Sequence, residues 1–565
     1  MNFSWLLPIS LVLCFAVGRD AAAVERVDLI VRNGTIYDGA GGVPSKGGVA
    51  VRDGKVIATG ALKDFTATRE VDAKGLAIAP GFINSLSWAT DTLIQDGRAM
   101  SDIEQGVTLE IFGEGESGGP VNDVVRKEMI EKQGDIRYDV TWTTLGGYLE
   151  FLQKKGISPN VASFVGATTI RAHELGFANR PPTPEELRRM QELVRQAMRE
   201  GALGVGSSLI YAPASYAKTD ELIALASAAG EFGGAYISHL RSEGDRFTEA
   251  LDELIQIARA AKVHGEVYHL KAAGQKNWPK MREAIARIEA ARASGLSISA
   301  NMYSYTAGAT GLDAAMPTWV QEGGLDAWIG RLKQPEIRQR VVKEMRTPSR
   351  EWESLYLAAG SAERVLLIGF KNDKLKPLTG KSLAEVAKMR GVSPEDAAID
   401  LVIEDRSRIG TAYFVMSEDN VKLGLAQPWV SLGSDAGAPA TEGIFLKSNS
   451  HPRAYGNVAR FLGRYVRDEK VTTLAQAIRR LTRLPAENFK LKNRGCLDAG
   501  CYADLVVFDP ATIADHATFE KPHQYATGVV HVFVNGVQVL KDGAHTGATP
   551  GQVVRGPGYP SAAIR

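Results

Sequence analysis

The chain predicts a (β/α)8 barrel inserted into a small β-sandwich built from both termini. Three observations carry this expectation. Strand and helix patterns alternate over roughly 400 residues in the middle of the chain, the rhythm of a barrel whose strands are all parallel. Short alternating strands joined by tight turns occur at both ends of the sequence, as if the two termini paired with each other. Residues 235–271 read as apolar strand, amphipathic helix, apolar strand, a βαβ unit whose strands lie side by side and parallel.

In chain order, Val27, Leu29 and Val31 alternate with Asp28, Ile30 and Arg32. Asn33-Gly34 and Asp53-Gly54 then supply the dipeptides that tolerate positive φ, so hairpins are expected at both. An early strand runs over 107–112. Thr183-Pro184-Glu185-Glu186 opens a helix with a capping box and Pro at its first position. Leu187, Met190, Val194 and Ala197 give that helix its apolar face, and Gly201 ends it. Further strands are expected at 204–209 and 297–303, with helices at 220–229, 245–262 and 280–293. Residues 311–408 interrupt the rhythm and read as an inserted subdomain. Strand 430–435 resumes the barrel. Ala503 to Phe508, and a hairpin through Asn535-Gly536, return to the β domain. The expected domains are a leader at 1–23, the N-terminal sandwich segment at 24–78, the barrel at 79–485, and the C-terminal sandwich segment with a tail at 486–565.

Composition narrows the function classes. The 66 Lys and Arg balance 65 Asp and Glu, so no charge bias points to nucleic acid or an anionic membrane. Three cysteines, Cys14, Cys496 and Cys501, exclude a disulfide scaffold and an all-thiolate zinc site. Residues 6–17 form an apolar run too short to span a bilayer, followed by Ala21-Ala22-Ala23, which reads as an export signal and a periplasmic destination. Export permits a Cys496–Cys501 disulfide, and two free thiols are the alternative.

The chemistry gathers at expected strand ends. His239 and His269 close the two strands of the βαβ unit, where neighbouring imidazoles can share a metal ion. A catalytic zinc usually has three protein ligands. Glu114 and Glu116, in a glycine-rich loop after strand 107–112, are the candidates for the third, with Glu114 preferred. Asp435, in Gly433-Ser434-Asp435, can serve as a general base beside such an ion, although an Asx turn would use the same residue. Lys271, Tyr305 and Arg453 follow strand ends and can hold a carboxylate and polarise a carbonyl.

As a set, Pro80-Gly81-Phe82-Ile83, Gly106-Val107-Thr108, Ser238-His239-Leu240-Arg241, His269-Leu270-Lys271, Tyr303-Ser304-Tyr305-Thr306-Ala307-Gly308, Gly433-Ser434-Asp435, His451-Pro452-Arg453 and Ala503-Asp504-Leu505-Val506-Val507-Phe508 resemble the N-acyl-D-amino-acid deacylase (D-aminoacylase) branch of the amidohydrolase superfamily. The resemblance covers nearly everything after the leader. It implies a metal-dependent barrel that hydrolyses an acyl–nitrogen bond, with His239 and His269 as ligands of the tight metal site and Asp435 as the acid/base. It also implies Lys271, Tyr305 and Arg453 as contacts to the substrate's carbonyl and carboxylate. Two departures stand out. Leu86 and Trp88 occupy the family's His-x-His positions, so a second metal site is expected to be missing. Gly115 aligns with the family's metal-binding Cys, with Glu114 and Glu116 beside it. The expectation is therefore one Zn2+ held by His239, His269 and Glu114, acting on N-acyl amino acids, in particular N-acyl-D-amino acids. The alternatives are dipeptide or cyclic-amide hydrolysis, or a non-catalytic binding protein that has lost its metal.

Overall fold

A computed structural model describes Met1 and residues 24–560. The expected leader at 1–23 lies outside the described residues apart from Met1. Among the described residues no helix is long and apolar enough to cross a membrane.

Eight parallel strand positions form the core of the barrel: β1 (Phe82–Asn84), β2 (Val107–Phe112), β3 (Asn160–Ser163, continued by Val165–Gly166), β4 (Gly204–Ser208), β5 (Ala235–His239), β6 (Gly265–Val267), β7 (Ile298–Met302) and β8 (Val430–Leu432). Each pairs in parallel with the next, β7 with β8 included although the long insertion separates them in sequence. The ring closes where Ser85 N–H donates to the Leu432 carbonyl at 3.1 Å and Ser87 bridges to Ala436 in parallel. Period-two alternation in β5 puts Ala235, Ile237 and His239 on one side. Ala235 and Ile237 share a cluster with Ile83, Leu109, Ile111, Phe164 and Tyr268. That side therefore packs the strands of the ring on one another, and His239 is the first polar side chain on it past the packed layers.

The local chemistry of the helices behaves as the sequence suggests. Helix Pro184–Arg199 carries both halves of the Thr183/Glu186 capping box, and Gly201 beyond its end has φ 101°. Its Met190, Val194 and Ala197 are buried. Helix Phe247–Ala261 links β5 to β6 and starts two residues later than expected.

Both termini contribute to one sheet of nine strands. The seam is Ala77–Pro80 antiparallel to Leu505–Phe508. The hydrogen-bond ladder runs continuously through this sheet, which closes on an apolar interior of Leu29, Val31, Val49, Val51, Ile78, Leu505, Val507 and Phe533. Asp53-Gly54 and Asn535-Gly536 turn hairpins, with Arg52 opposite Lys55 and Val534 opposite Val537. Asn33-Gly34 does not. Strand Glu25–Ile36 runs straight through it with a bulge between Val31 and Gly34, because Ser45–Arg52 pairs along both halves. Cys496 and Cys501 are joined by a disulfide that closes the short turn between them.

The insertion between β7 and β8 carries a three-stranded antiparallel sheet, Gly308–Gly311, Val365–Gly369 and Gly410–Tyr413, with helices packed around it. Its first strand starts six residues after β7, so it stands at the rim where β5, β6 and β8 end.

Candidate metal centre

The loop after β2 delivers a carboxylate through glycines. Gly113 and Gly115 have φ of 108° and 72°, and a Cβ on Gly115 would lie 2.6 Å from Ser208 Cβ. Glu114 between them points to the ends of β5 and β6. Its Oε1 lies 3.1 Å from His239 Nδ1 and 2.7 Å from His269 Nε2. The two imidazoles meet edge to face with centroids 4.5 Å apart. Glu116, the alternative third ligand, turns instead to Lys132 at 2.6 Å.

β6 ends at Val267, two residues before His269, earlier than the sequence pattern suggests. His269 then adopts φ 35°, and its backbone N–H is caught by Asn301 Oδ1 at 2.8 Å. Asn301 is held in turn by Glu266 at 3.0 Å. Asp435 also sits in the left-handed region, at φ 50°. Such conformations cost on the order of 1–3 kcal/mol each in non-glycine residues and persist where the surroundings dictate them. Here the surroundings are hydrogen bonds: Asp435 N–H to the Leu86 carbonyl at 2.9 Å, and Ser434 N–H to Asn84 Oδ1 at 2.8 Å.

Sequence reasoning missed Glu243. This buried carboxylate, four residues past His239, lies 3.0 Å from His269 Nδ1, 3.6 Å from His239 Nε2 and 2.6 Å from Lys271 Nζ. It backs both imidazoles at once, and Lys271 neutralises it. The i+4 spacing from His239 was its only sequence signal. Trp88 also reaches the cluster: its indole N–H donates to Glu114 Oε2 at 2.8 Å.

Asp435 and Arg453 pair at 2.9 Å beside this cluster. Arg453 begins helix Arg453–Arg460, and its backbone N–H is fixed on His451 Nδ1 at 3.0 Å. Its side chain is 2 % exposed, and Nε and Nη1 have no partner among the described residues. Tyr303 lies under that guanidinium, 4.4 Å from ring centroid to Cζ, and Lys271 Nζ is 5.7 Å from the same ring. The Tyr303 hydroxyl is buried without a partner. Tyr305, expected in this role, is a correction. Its hydroxyl donates to Asp515 at 3.0 Å, and Arg460 covers its ring, so it faces away from Lys271 and Arg453. The reason is that β7 stops at Met302, and two-residue alternation does not survive the end of the strand.

Burial works against the charge of Glu114, but the adjacent His269 charge and hydrogen bonds from both rings outweigh it and hold its carboxyl well below the ordinary range. His269 loses stability as a cation through burial and the Lys271 charge, yet Glu114 and Glu243 raise it to about 9. Burial lowers His239. Burial raises Asp435 to about 6 against the pull of Arg453, and the charges of Glu114, His269 and Lys271 all reach it.

One donor atom each from Glu114, His239 and His269 lies within 4.8 Å of the other two, and all three residues are buried. Two imidazoles and an easily ionised carboxylate are suitable donors for a divalent cation such as zinc. One Glu114 oxygen is shared between His239 Nδ1 and His269 Nε2, whereas His239 Nε2 is turned toward Glu243 at 3.6 Å. The shared oxygen fits a centre built around a cation.

A family model described as the amidohydrolase family matches residues 142–540. D-aminoacylase of Alcaligenes xylosoxydans xylosoxydans is 34 % identical over 531 residues, covering 93 % of this chain and 97 % of the relative. A solved D-aminoacylase, described as having a binuclear metal centre with one-metal activation and second-metal attenuation, superposes with a TM-score of 0.77 at 31 % identity, covering 94 % of this chain and all of that one. N-acyl-D-glutamate deacylase of Bordetella bronchiseptica, solved with zinc and a phosphonate mimic of the tetrahedral intermediate, gives a TM-score of 0.77 at 29 % identity, with 94 % and 100 % covered. In sequence and in fold, the chain belongs to the D-aminoacylase branch of the amidohydrolase family.

Proposed function

We propose that this chain hydrolyses the acyl–nitrogen bond of N-acyl-D-amino acids, with one zinc ion held by His239, His269 and Glu114. The convergence of those three donors beside the Asp435–Arg453 pair carries the reading. When bound, the ion supplies Lewis acidity toward the scissile carbonyl and lowers the pKa of a water. The chain's own groups do the rest. Asp435, with a carboxyl near 6, is ionised at neutral pH and takes a proton from the attacking water. It then returns that proton to the leaving nitrogen. Arg453 offers Nε and Nη1 to the substrate's carboxylate. Tyr303 presents its free hydroxyl from beneath the same guanidinium. Glu243 and Lys271 keep the back of the imidazole pair electrically balanced.

Metal analysis on the purified protein, with release of free amino acid from N-acetyl-D- and N-acetyl-L-amino acids and from dipeptides, tests the proposal. The expected result is zinc in the protein, chelator-sensitive turnover, and preference for the D series. Turnover indifferent to a chelator in a metal-free protein sinks it. Preference for dipeptides moves the substrate class.

Export to the periplasm is proposed with it, on the apolar run at 6–17 and the suitability of the Cys496–Cys501 disulfide to an oxidising compartment. Fractionation and N-terminal sequencing should find a cleaved chain outside the cytoplasm. An intact chain retained in the cytoplasm contradicts export.

A further inference from the structure

We propose that Trp88 limits this centre to a single metal ion and locks Glu114 in its ligating pose, an assignment that rests on the metal-centre reading above. Glu114 is 5 % exposed and has two oxygens to offer. Oε1 faces both imidazoles. Oε2 is taken by the indole N–H of Trp88 at 2.8 Å. A carboxylate shared by two ions commits one oxygen to each. The indole nitrogen only donates, so it is itself no ligand, and it occupies the oxygen that a second ion would need.

Among the described residues, the neighbouring groups do not replace that oxygen. Leu86, two residues before Trp88, is 1 % exposed and packs with Ile83, Leu109 and Ile111. Asp435, the next carboxylate, is engaged by Arg453. Glu243 is engaged by Lys271 and faces the far side of the rings. Trp88 is itself held by its backbone, whose N–H donates to the Ala436 carbonyl at 2.9 Å. One residue thus ties the metal-side carboxylate to the turn that carries Asp435. The attenuation by a second metal described for the D-aminoacylase relative has no seat here.

Zinc binding to metal-stripped wild type and W88F, measured by equilibrium dialysis with elemental analysis, tests this. Wild type should saturate at one zinc per chain and take no second ion up to about 100-fold excess. W88F, which keeps most of the bulk but loses the donor and frees Oε2, should bind its first zinc about 10- to 100-fold more weakly, as losses of groups behind a ligand usually do, and should take up a second ion within the same excess. Its metal-free melting curve should stay close to wild type, which separates positioning from general damage. Two zinc ions of comparable affinity in wild type, or a W88F that still stops at one, overturn the limiting role. A W88F affinity within twofold of wild type overturns the positioning role. Wild type that takes up no zinc overturns the metal centre and this assignment with it, an outcome distinct from the other two.

Discussion

Tyr303 and Tyr305 separate what a residue's neighbours in sequence reveal from what its neighbours in space decide. Both stand in Tyr303-Ser304-Tyr305, and an extended chain would send them the same way. The strand ends one residue earlier, so Tyr303 goes under Arg453 and Tyr305 goes to Asp515. Tyr303→Phe should therefore lower kcat/KM with little change in melting temperature. Tyr305→Phe should do the reverse, costing about 1 kcal/mol of stability for one lost hydrogen bond while leaving kcat/KM near wild type. Steady-state kinetics and thermal melts on the pair check this, and a kinetic defect confined to Tyr305→Phe reverses the assignment. Asp435 makes a second prediction. Burial sets its carboxyl near 6, and the ionised form is the proposed base, so kcat/KM should fall about tenfold per pH unit below 6 and level off above it. Asp435→Asn should lower kcat by about 10²- to 10⁴-fold and retain its zinc. A variant of undiminished rate removes Asp435 from the reaction. His239, His269 and Asp435 were legible because each closes an apolar run. Glu243 was not, since it lies in a loop where no periodicity applies.

At the scale of elements, the loop after β5 does more than connect it to the next helix. Glu243 within it backs both imidazoles, and the loop is pinned from the insertion by Glu353. The Glu353 carboxylate accepts the Ser242 hydroxyl, the Glu243 N–H at 3.0 Å and the Gly244 N–H at 3.0 Å. The insertion also supplies the Ala309 carbonyl that takes Arg453 Nη2 at 3.3 Å. It is thus a wall of the site as well as an interruption of the barrel, which composition alone could not disclose. Helices with caps, such as Pro184–Arg199, were legible to the residue because capping is local chemistry. The bulge at Asn33-Gly34 was not, because its partner strand decides it. Glu243→Gln should weaken zinc binding by about 10- to 100-fold. It also strands a buried Lys271, so the single variant should melt earlier. Adding Lys271→Met should recover melting temperature without recovering zinc affinity. If affinity returns with stability, Glu243 acts only through the fold.

Over the whole molecule, the two ends of the chain meet each other and then meet the barrel. Asp504 is the junction. Its backbone carbonyl accepts Gly81 N–H at 2.8 Å, and its carboxylate accepts Asn160 from β3, Asn535 N–H and Arg494. Beyond the nine-stranded sheet, the C-terminal tail returns along β3. Gly551 N–H donates to the Ile157 carbonyl at 2.8 Å, Val161 N–H to Gln552, Val554 N–H to Val161, and Gly556 N–H to Gly201. Alternating strands at both termini announced the shared sheet, but no pattern announced the tail, whose ladder is backbone to backbone, supplemented by side-chain bonds from Gln153, Asn160 and Arg555. Removing residues 549–565 should cost at least those four backbone bonds, on the order of 4 kcal/mol at about 1 kcal/mol each, together with the side-chain bonds, and uncover Ile157 and Val161. The loss falls at β3 and β4, whereas the proposed metal ligands lie on the ends of β2, β5 and β6. The truncated chain should therefore unfold at distinctly lower denaturant concentration, yet bind zinc with wild-type affinity at low temperature. Denaturant unfolding and equilibrium dialysis on the same preparation decide it. Unchanged stability would make the tail dispensable, and lost zinc affinity in a folded truncation would tie the centre to the far side of the ring.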